Sequence, residues 1–276
     1  ELYKKLIDQV EPHSVISLLK WRQFIDLVLS KVGLIQSEQD FFNFVISAEA
    51  LTMHGFGEPL LDPYIVKRVK MVIDKGIPAY FSCNPINMDD RLFQDLLDAG
   101  ITYIKYSIDG LDEETLKKFR GRKMSIQKIN DRIEKSVEII EKGNYKTIIV
   151  LTMIGFESNK EHTKEFLKKW QYRNVYAYVK SAVNRYLVDE VLKDNEPAYI
   201  RSFCEYPLMS LTVLQNGTVV PCCVDYDGKI PLGDANKNTL EEIWQSDSFR
   251  KFRMAFTRGQ LAKNHFCNAK CDLPVL

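Results

Sequence analysis

From about residue 46 to residue 185, short apolar runs alternate with longer amphipathic ones, and nothing else in the chain restricts its fold as much. Ala48 to His54 reads as a strand, and Pro63 to Lys75 as a helix closed by Gly76. Ile77 to Ser82 is the next strand, followed by a helix over Asp89 to Asp98 closed by Gly100. Ile101 to Ile108 is the third strand, after which Asp112 is placed to cap a helix. Ser125 to Lys142 holds a long helical stretch, Thr147 to Ile154 a strand, Lys160 to Trp170 a helix, and Val175 to Ala182 another strand. Strands that alternate with helices imply right-handed βαβ units around a parallel sheet. The fold class is therefore α/β, an open or closed barrel of such units. Ligands of such sheets gather at the carboxyl ends of the strands, so the residues just after each strand are the informative ones.

Residues 186 to 203 read as a connector containing Pro197. Beyond it, Asn216-Gly217 stands between the apolar runs Leu208 to Leu214 and Thr218 to Pro221, a strong hairpin signal. Thr239 to Phe252 reads as one helix with Leu240, Ile243, Trp244 and Phe249 on one face. The expected division is thus a barrel over residues 1 to 190 and a small hairpin-plus-helix extension over 191 to 276. A chain of 276 residues, 45% hydrophobic and 27% charged, suits a globular protein of this size. With 38 basic and 37 acidic residues, its charge offers no general attraction to nucleic acid or acidic membranes. No apolar run has the length of a membrane span, and Glu1-Leu2-Tyr3-Lys4-Lys5 does not open a secretory signal, so a cytoplasmic location is expected. Five of the six cysteines lie from residue 204 onward. In a reducing compartment such clusters bind metal more often than they form disulfides.

Three strand ends carry candidate chemistry. His54-Gly55-Phe56-Gly57-Glu58-Pro59-Leu60 follows the first strand; its glycines let backbone approach a ligand, and Glu58 with the exposed carbonyls can accept from an ammonium group. The same segment reads equally as a structural strand-to-helix turn. Ser82-Cys83-Asn84-Pro85 ends the second strand with small polar groups. Tyr106-Ser107-Ile108-Asp109-Gly110 ends the third, where Ser107 and Asp109 share a side by strand alternation. A ribose or substrate hydroxyl would suit that side, and an ordinary Asp-Gly turn is the alternative. Lone histidines such as His54 read as hydrogen-bonded structural residues, and Lys117 to Lys123 as a solvated charge run.

The order of these segments, about one βα unit apart, resembles that of radical S-adenosylmethionine (SAM) enzymes, which implies a partial (β/α)6-type barrel. The resemblance implies that Gly55, Gly57, Glu58 and Pro59 hold the SAM amino group. It places Ser82, Asn84, Ser107 and Asp109 near the SAM ribose and carboxylate or the substrate. The text around Cys204-Glu205-Tyr206-Pro207, Asn216-Gly217-Thr218-Val219-Val220-Pro221-Cys222-Cys223 and Leu232-Gly233-Asp234 resembles the SPASM/Twitch extension of the same superfamily. Four thiolates suit a [4Fe–4S] cluster or a tetrahedral zinc; the resemblance makes Cys204, Cys222, Cys267 and Cys271 ligands of one auxiliary [4Fe–4S] cluster. Cys83 and Cys223 then read as small buried residues, with Cys223 able to replace Cys222.

One departure stands out. No cysteine precedes Cys83, so the Cys-x-x-x-Cys-x-x-Cys of the superfamily, which holds the radical SAM [4Fe–4S] cluster, has no counterpart. Its place is the joint near Leu18-Leu19-Lys20, between a first strand in Pro12 to Leu18 and a first helix in Lys20 to Val32. The leading expectation is that the gene product carries a loop that this chain lacks; deletion and a catalytically dead relative are the alternatives. The cysteine spacing is similar to that of radical SAM dehydrogenases of the 2-deoxy-scyllo-inosamine type, and Asn184-Arg185 resembles their substrate contact, with a solvated connector arginine as the alternative reading of Arg185. This implies an oxidoreductase acting on a small polyol, sugar or aminocyclitol, with Arg185 and Asp109 at the substrate and a flavodoxin or ferredoxin as electron donor. A peptide maturase is the alternative enzyme, and a non-catalytic protein with structural zinc the alternative class.

Overall fold

Alternating side chains of strand β3 (Tyr103–Ser107) must satisfy two different faces, because the strand is paired on both edges. It is the middle of a parallel sheet that also contains β1 (Leu51–Thr52), β2 (Ala79–Cys83), β4 (Ile148–Gly155) and β5 (Tyr176–Ser181), in the order β1-β2-β3-β4-β5. The computed structural model describes residues 1–12, 50–121, 124–156, 159–170, 175–181, 206–262, 265 and 267. The expected first strand, first helix and Leu18-Leu19-Lys20 joint lie outside them.

The helices between the strands form where the pattern and the caps put them. Helix α2 (Ile65–Ile73) buries Ile65, Val69 and Val72, one stripe at helical spacing. Asp89 caps α3 (Asp90–Asp98) by accepting from the Leu92 amide at 2.7 Å, and Asp112 caps α4 (Glu113–Arg120) by accepting from Thr115 at 2.7 Å. Ser125 caps α5 (Ile126–Gly143), which ends on Asn144 in the left-handed region at φ 52°. Helix α6 spans Lys160–Trp170, and Trp170 is fully buried.

These helices cover the face of the sheet that carries Phe81, Cys83, Ile104, Tyr106, Leu151, Met153 and Ala177, and together they form the main core. On the opposite face Tyr80, Tyr103, Val150 and Tyr178 make a smaller cluster, with the Tyr80 and Tyr103 rings stacked at 4.3 Å. Register places Ser82 beside Lys105, and Ser107 beside Thr152, on this second face. Both the α/β class and the parallel sheet agree with the sequence.

Residues 11–181 form one compact unit, and residues 1–10 with 182–276 form a second. This differs from a single expected boundary near 190. Helix α1 (Leu2–Asp8) explains the difference: Leu2 and Leu6 pack against the cluster of Val219, Ile243 and Phe249, and Lys5 Nζ donates to the Ala235 carbonyl at 2.8 Å. In this second unit a short helix α7 (Tyr206–Met209) precedes β6 (Thr212–Val213), which pairs antiparallel with β7 (Thr218–Val220). The Asn216-Gly217 turn joins them as expected, with Gly217 at φ 90°. A third strand, β8 (Gly233–Asp234), extends the hairpin; at two residues it carries no periodic signal.

The single helix expected over Thr239 to Phe252 is two. Helix α8 (Leu240–Gln245) starts with a capping box between Thr239 and Glu242, and α9 spans Asp247–Thr257. Ser246 between them is extended at φ −60°, ψ 153°, and its Oγ accepts from the Phe249 amide at 3.2 Å. A serine that offers the backbone its own acceptor stops one helix and starts the next without losing the apolar stripe. Among the described residues no helix is long and apolar enough to cross a membrane. Ser246→Ala removes the cap and is expected to lower stability by about 1 kcal/mol, read as a lower urea midpoint at unchanged slope.

Candidate active site

Glu58 organises the rim of the sheet at the carboxyl ends of β1 and β2. Its Oε1 accepts from the Leu60 amide at 3.2 Å, capping a 3-10 turn over Pro59–Leu61, and its Oε2 accepts from the Asn84 amide at 2.9 Å. One carboxylate therefore ties two loops together. Pro59 is buried beneath it, while Gly55, Phe56 and Gly57 are exposed. A methyl group placed on Gly55 or Gly57 would meet nothing within 4 Å, so this loop keeps space along its backbone.

Asn84 is buried, and both ends of its amide are used locally. Oδ1 accepts from the Ile86 amide at 3.2 Å and Nδ2 points to the Met124 sulfur at 3.2 Å. Ser82 and Ser107 meet across neighbouring strands with their hydroxyls 3.0 Å apart. Asp109 is buried in an ion contact with Arg120 of α4, Nε to Oδ2 at 2.5 Å, and the same guanidinium donates to the Ser107 carbonyl at 3.2 Å. Arg120, which the sequence places in a solvated charge run, thus anchors the loop after β3. The structure brings Glu58, Asn84, Ser82 and Ser107 together along adjacent strand ends. Arg185 lies outside the described residues.

Two basic groups on the inner face complete the site. His54 Nδ1 accepts from the Ser82 amide at 3.2 Å, the structural role expected for it. Burial, together with Lys105 and Lys180, holds its pKa down to about 3, so the ring is neutral. Lys105 is only 5% exposed, with its ammonium 5.4 Å from the Tyr80 ring and 5.8 Å from the Tyr178 ring. Burial and then Lys180 lower it from the ordinary 10.5 to about 7. Sequence reasoning missed it because a lysine alternating with apolar residues in Tyr103-Ile104-Lys105-Tyr106 reads as solvent-facing. Cys83, on the helix side of β2, is fully enclosed, and burial with nearby Glu58 pushes its thiol well up, as suits an inert core residue.

In the second unit, Cys222 is buried beside Val224 and Tyr206, and Cys267 is half-buried against the Val219 and Phe249 cluster. Cys223 is exposed, which corrects its reading as a small buried residue. The turn after Cys222-Cys223 is built on Asp225, almost fully buried, whose two oxygens accept from the Lys229 and Ile230 amides at 2.7 Å each. Cys204 and Cys271 lie outside the described residues.

Residues 48–169 match the family model described as the radical SAM superfamily, and residues 204–272 match that of the SPASM iron–sulfur cluster-binding domain. The chain carries a radical SAM domain and a SPASM domain. A segment of 64 residues is 30% identical to the S-adenosyl-L-methionine-dependent 2-deoxy-scyllo-inosamine dehydrogenase of Niallia circulans, covering 23% of this chain and 26% of that protein. The match thus spans about a quarter of that relative. The crystal structure of BtrN in complex with AdoMet and 2-DOIA shares the fold, with a TM-score of 0.50 and 18% identity over 99% of this chain and 83% of that one. BtrN in an open conformation has a TM-score of 0.47 and 16% identity over 97% and 77%.

Radical SAM and SPASM domains imply SAM and [4Fe–4S] clusters as cofactors. The space beside Gly55 and Gly57, and a carboxylate held by amides beside it, fit an amino-acid cofactor. Buried Cys222 and half-buried Cys267 would offer thiols to a SPASM cluster. The catalytic cluster is a different matter: no thiol precedes the inert Cys83, so the residues of this chain do not fit it.

Lys105 makes stability depend on pH. The folded amine releases its proton near 7 and the unfolded one near 10.5, so unfolding takes up a proton between those values. Its contribution therefore rises with pH across that window and is least favourable below 7, where the folded interior must carry the charge. Lys105→Met is expected to raise the melting temperature at pH 6 and to flatten the gain between pH 7 and 10, read by thermal melts.

Proposed function

We propose that the gene product is a radical SAM oxidoreductase, and that its catalytic cluster is held by a cysteine loop missing from this chain near Leu18-Leu19-Lys20. The observation that carries the reading is the continuous polar rim formed by Glu58, Asn84, Ser82 and Ser107 at neighbouring strand ends, inside the segment matched to the radical SAM family. SAM and its cluster supply a carbon-centred radical able to take a hydrogen atom from an unactivated C–H bond.

The chain's own residues bind and orient. Glu58 has each carboxylate oxygen engaged by one amide and retains acceptor capacity for the SAM ammonium. Gly55 and Gly57 leave the backbone carbonyls open to it. Ser82 and Ser107 offer hydroxyls to the ribose or carboxylate, Asp109 holds Arg120 and with it the loop after β3, and Arg185 orients a substrate hydroxyl. The substrate is a small polyol, sugar or aminocyclitol of the kind named by the Niallia circulans relative. Loss of one hydrogen atom from carbon, then of the hydroxyl proton and one electron, converts the alcohol to a carbonyl. Cys204, Cys222, Cys267 and Cys271 would hold an auxiliary cluster, which would supply a one-electron acceptor for that step, and a flavodoxin or ferredoxin would be the electron donor.

Anaerobic reconstitution of the full-length gene product is expected to give about eight irons, two [4Fe–4S] clusters, and 5′-deoxyadenosine with dithionite and SAM. About four irons without 5′-deoxyadenosine would end the enzyme reading. In the same preparation Glu58→Ala is expected to weaken SAM binding by about tenfold or more, measured by calorimetry.

A further inference from the structure

We infer that the inner face of the sheet around Lys105 binds an anionic group, a carboxylate or a phosphate, carried by a small ligand of this protein. Lys105 sits in the central strand, on the face opposite the helices, with 5% of its surface exposed. Among the described residues no carboxylate reaches its ammonium; what surrounds it are the faces of Tyr80 and Tyr178 at 5.4 and 5.8 Å. Aromatic faces compensate a buried cation only weakly compared with a carboxylate.

Among the described residues, the one charge that perturbs it is that of Lys180, of the same sign. On the inner face β1 contributes Thr52 and the loop after it His54, which is neutral; β2 contributes Tyr80; β4, Val150 and Thr152, which carry no charge; and β5, Tyr176, Tyr178 and Lys180. Lys105 and Lys180 both depress His54, and Lys180 depresses Lys105, so the two amines share one field. An anion entering this face meets positive potential in a low-dielectric setting. Ser82, Ser107 and Thr152 stand on the same face and can take the hydroxyls of a polyhydroxy compound. An ammonium group would be repelled.

The inference rests on the oxidoreductase reading only for the choice of ligand: within that substrate class it selects sugar acids and sugar phosphates over aminocyclitols. The SAM carboxylate is the other source of the same chemistry. An anion raises the affinity of Lys105 for its proton, so binding above pH 7 takes up a proton and weakens as pH rises.

The test is calorimetry on the full-length, cluster-loaded protein with D-gluconate, glucose 6-phosphate, myo-inositol, SAM and decarboxylated SAM, for the unaltered chain, Lys105→Gln and Lys180→Gln. Tighter binding of gluconate or glucose 6-phosphate than of myo-inositol is expected. Loss of that preference by about tenfold or more in Lys105→Gln, with no proton uptake at pH 8, assigns the site to substrate. If Lys105→Gln instead weakens SAM but not decarboxylated SAM, the site holds the SAM carboxylate. Unchanged affinity for every anionic probe in both folded variants overturns the inference. 5′-Deoxyadenosine formation by the unaltered protein reports on the proposed activity separately from any of these affinities.

Discussion

Strand β3 is hydrogen-bonded along both edges, so its side chains divide between two environments that cannot be exchanged. Ile104 and Tyr106 go to the helix layer, where both are fully buried. Lys105 and Ser107 go to the other face. A slip of one residue would send a lysine into the packed helix layer and a fully enclosed tyrosine into the polar one. The apolar half of the strand thus fixes the register, and the register in turn decides which polar groups face one another. The pairing of Ser82 with Lys105, and of Ser107 with Thr152, follows from the burial of Ile104 and Tyr106.

Glu58 extends this order beyond the strands. A loop that follows a two-residue strand has little of its own to hold it, and here a carboxylate takes one amide from its own 3-10 turn and one from the loop after β2. Charge-assisted bonds of this kind are stronger than neutral ones and directional. A structural role and a ligand role for Glu58 are therefore compatible, since each oxygen that accepts one amide still has a lone pair to offer. Asn84 differs: its Oδ1 and Nδ2 are both turned inward to Ile86 and Met124, so what it offers the rim is the position of its backbone.

The features legible in the sequence are those with local causes. Gly76 and Gly100 end helices because their backbones lie in the left-handed region, at φ 75° and 82°. Asp89, Asp112 and Ser125 start helices because each side chain reaches an otherwise unpaired amide. Asn216-Gly217 makes the hairpin for a similar reason. Ser246 escaped notice because the apolar stripe runs through it unbroken, and only its extended backbone separates α8 from α9. Arg120 escaped because its partner is a carboxylate across a loop, and Asp225 because the two amides it holds, four and five residues ahead, lie in a turn with no periodic or capping pattern. A ligand role for the Gly57-Glu58-Pro59 segment is suggested only by resemblance, since a turn of that composition is as often structural.

Lys105 marks where pattern and physics part. A period-two reading assigns every polar residue of a strand to solvent, yet in a barrel-like sheet the second face turns inward. An ammonium group there is desolvated, a cost that the flanking aromatic rings offset only in part, and this reduces stability compared with an apolar side chain of the same length. Leucine or methionine would fit the Tyr80 and Tyr178 rings without that cost. A residue whose charge is unfavourable to folding, on the face of the sheet that also carries Ser82 and Ser107, is explained by what it binds rather than by what it packs against.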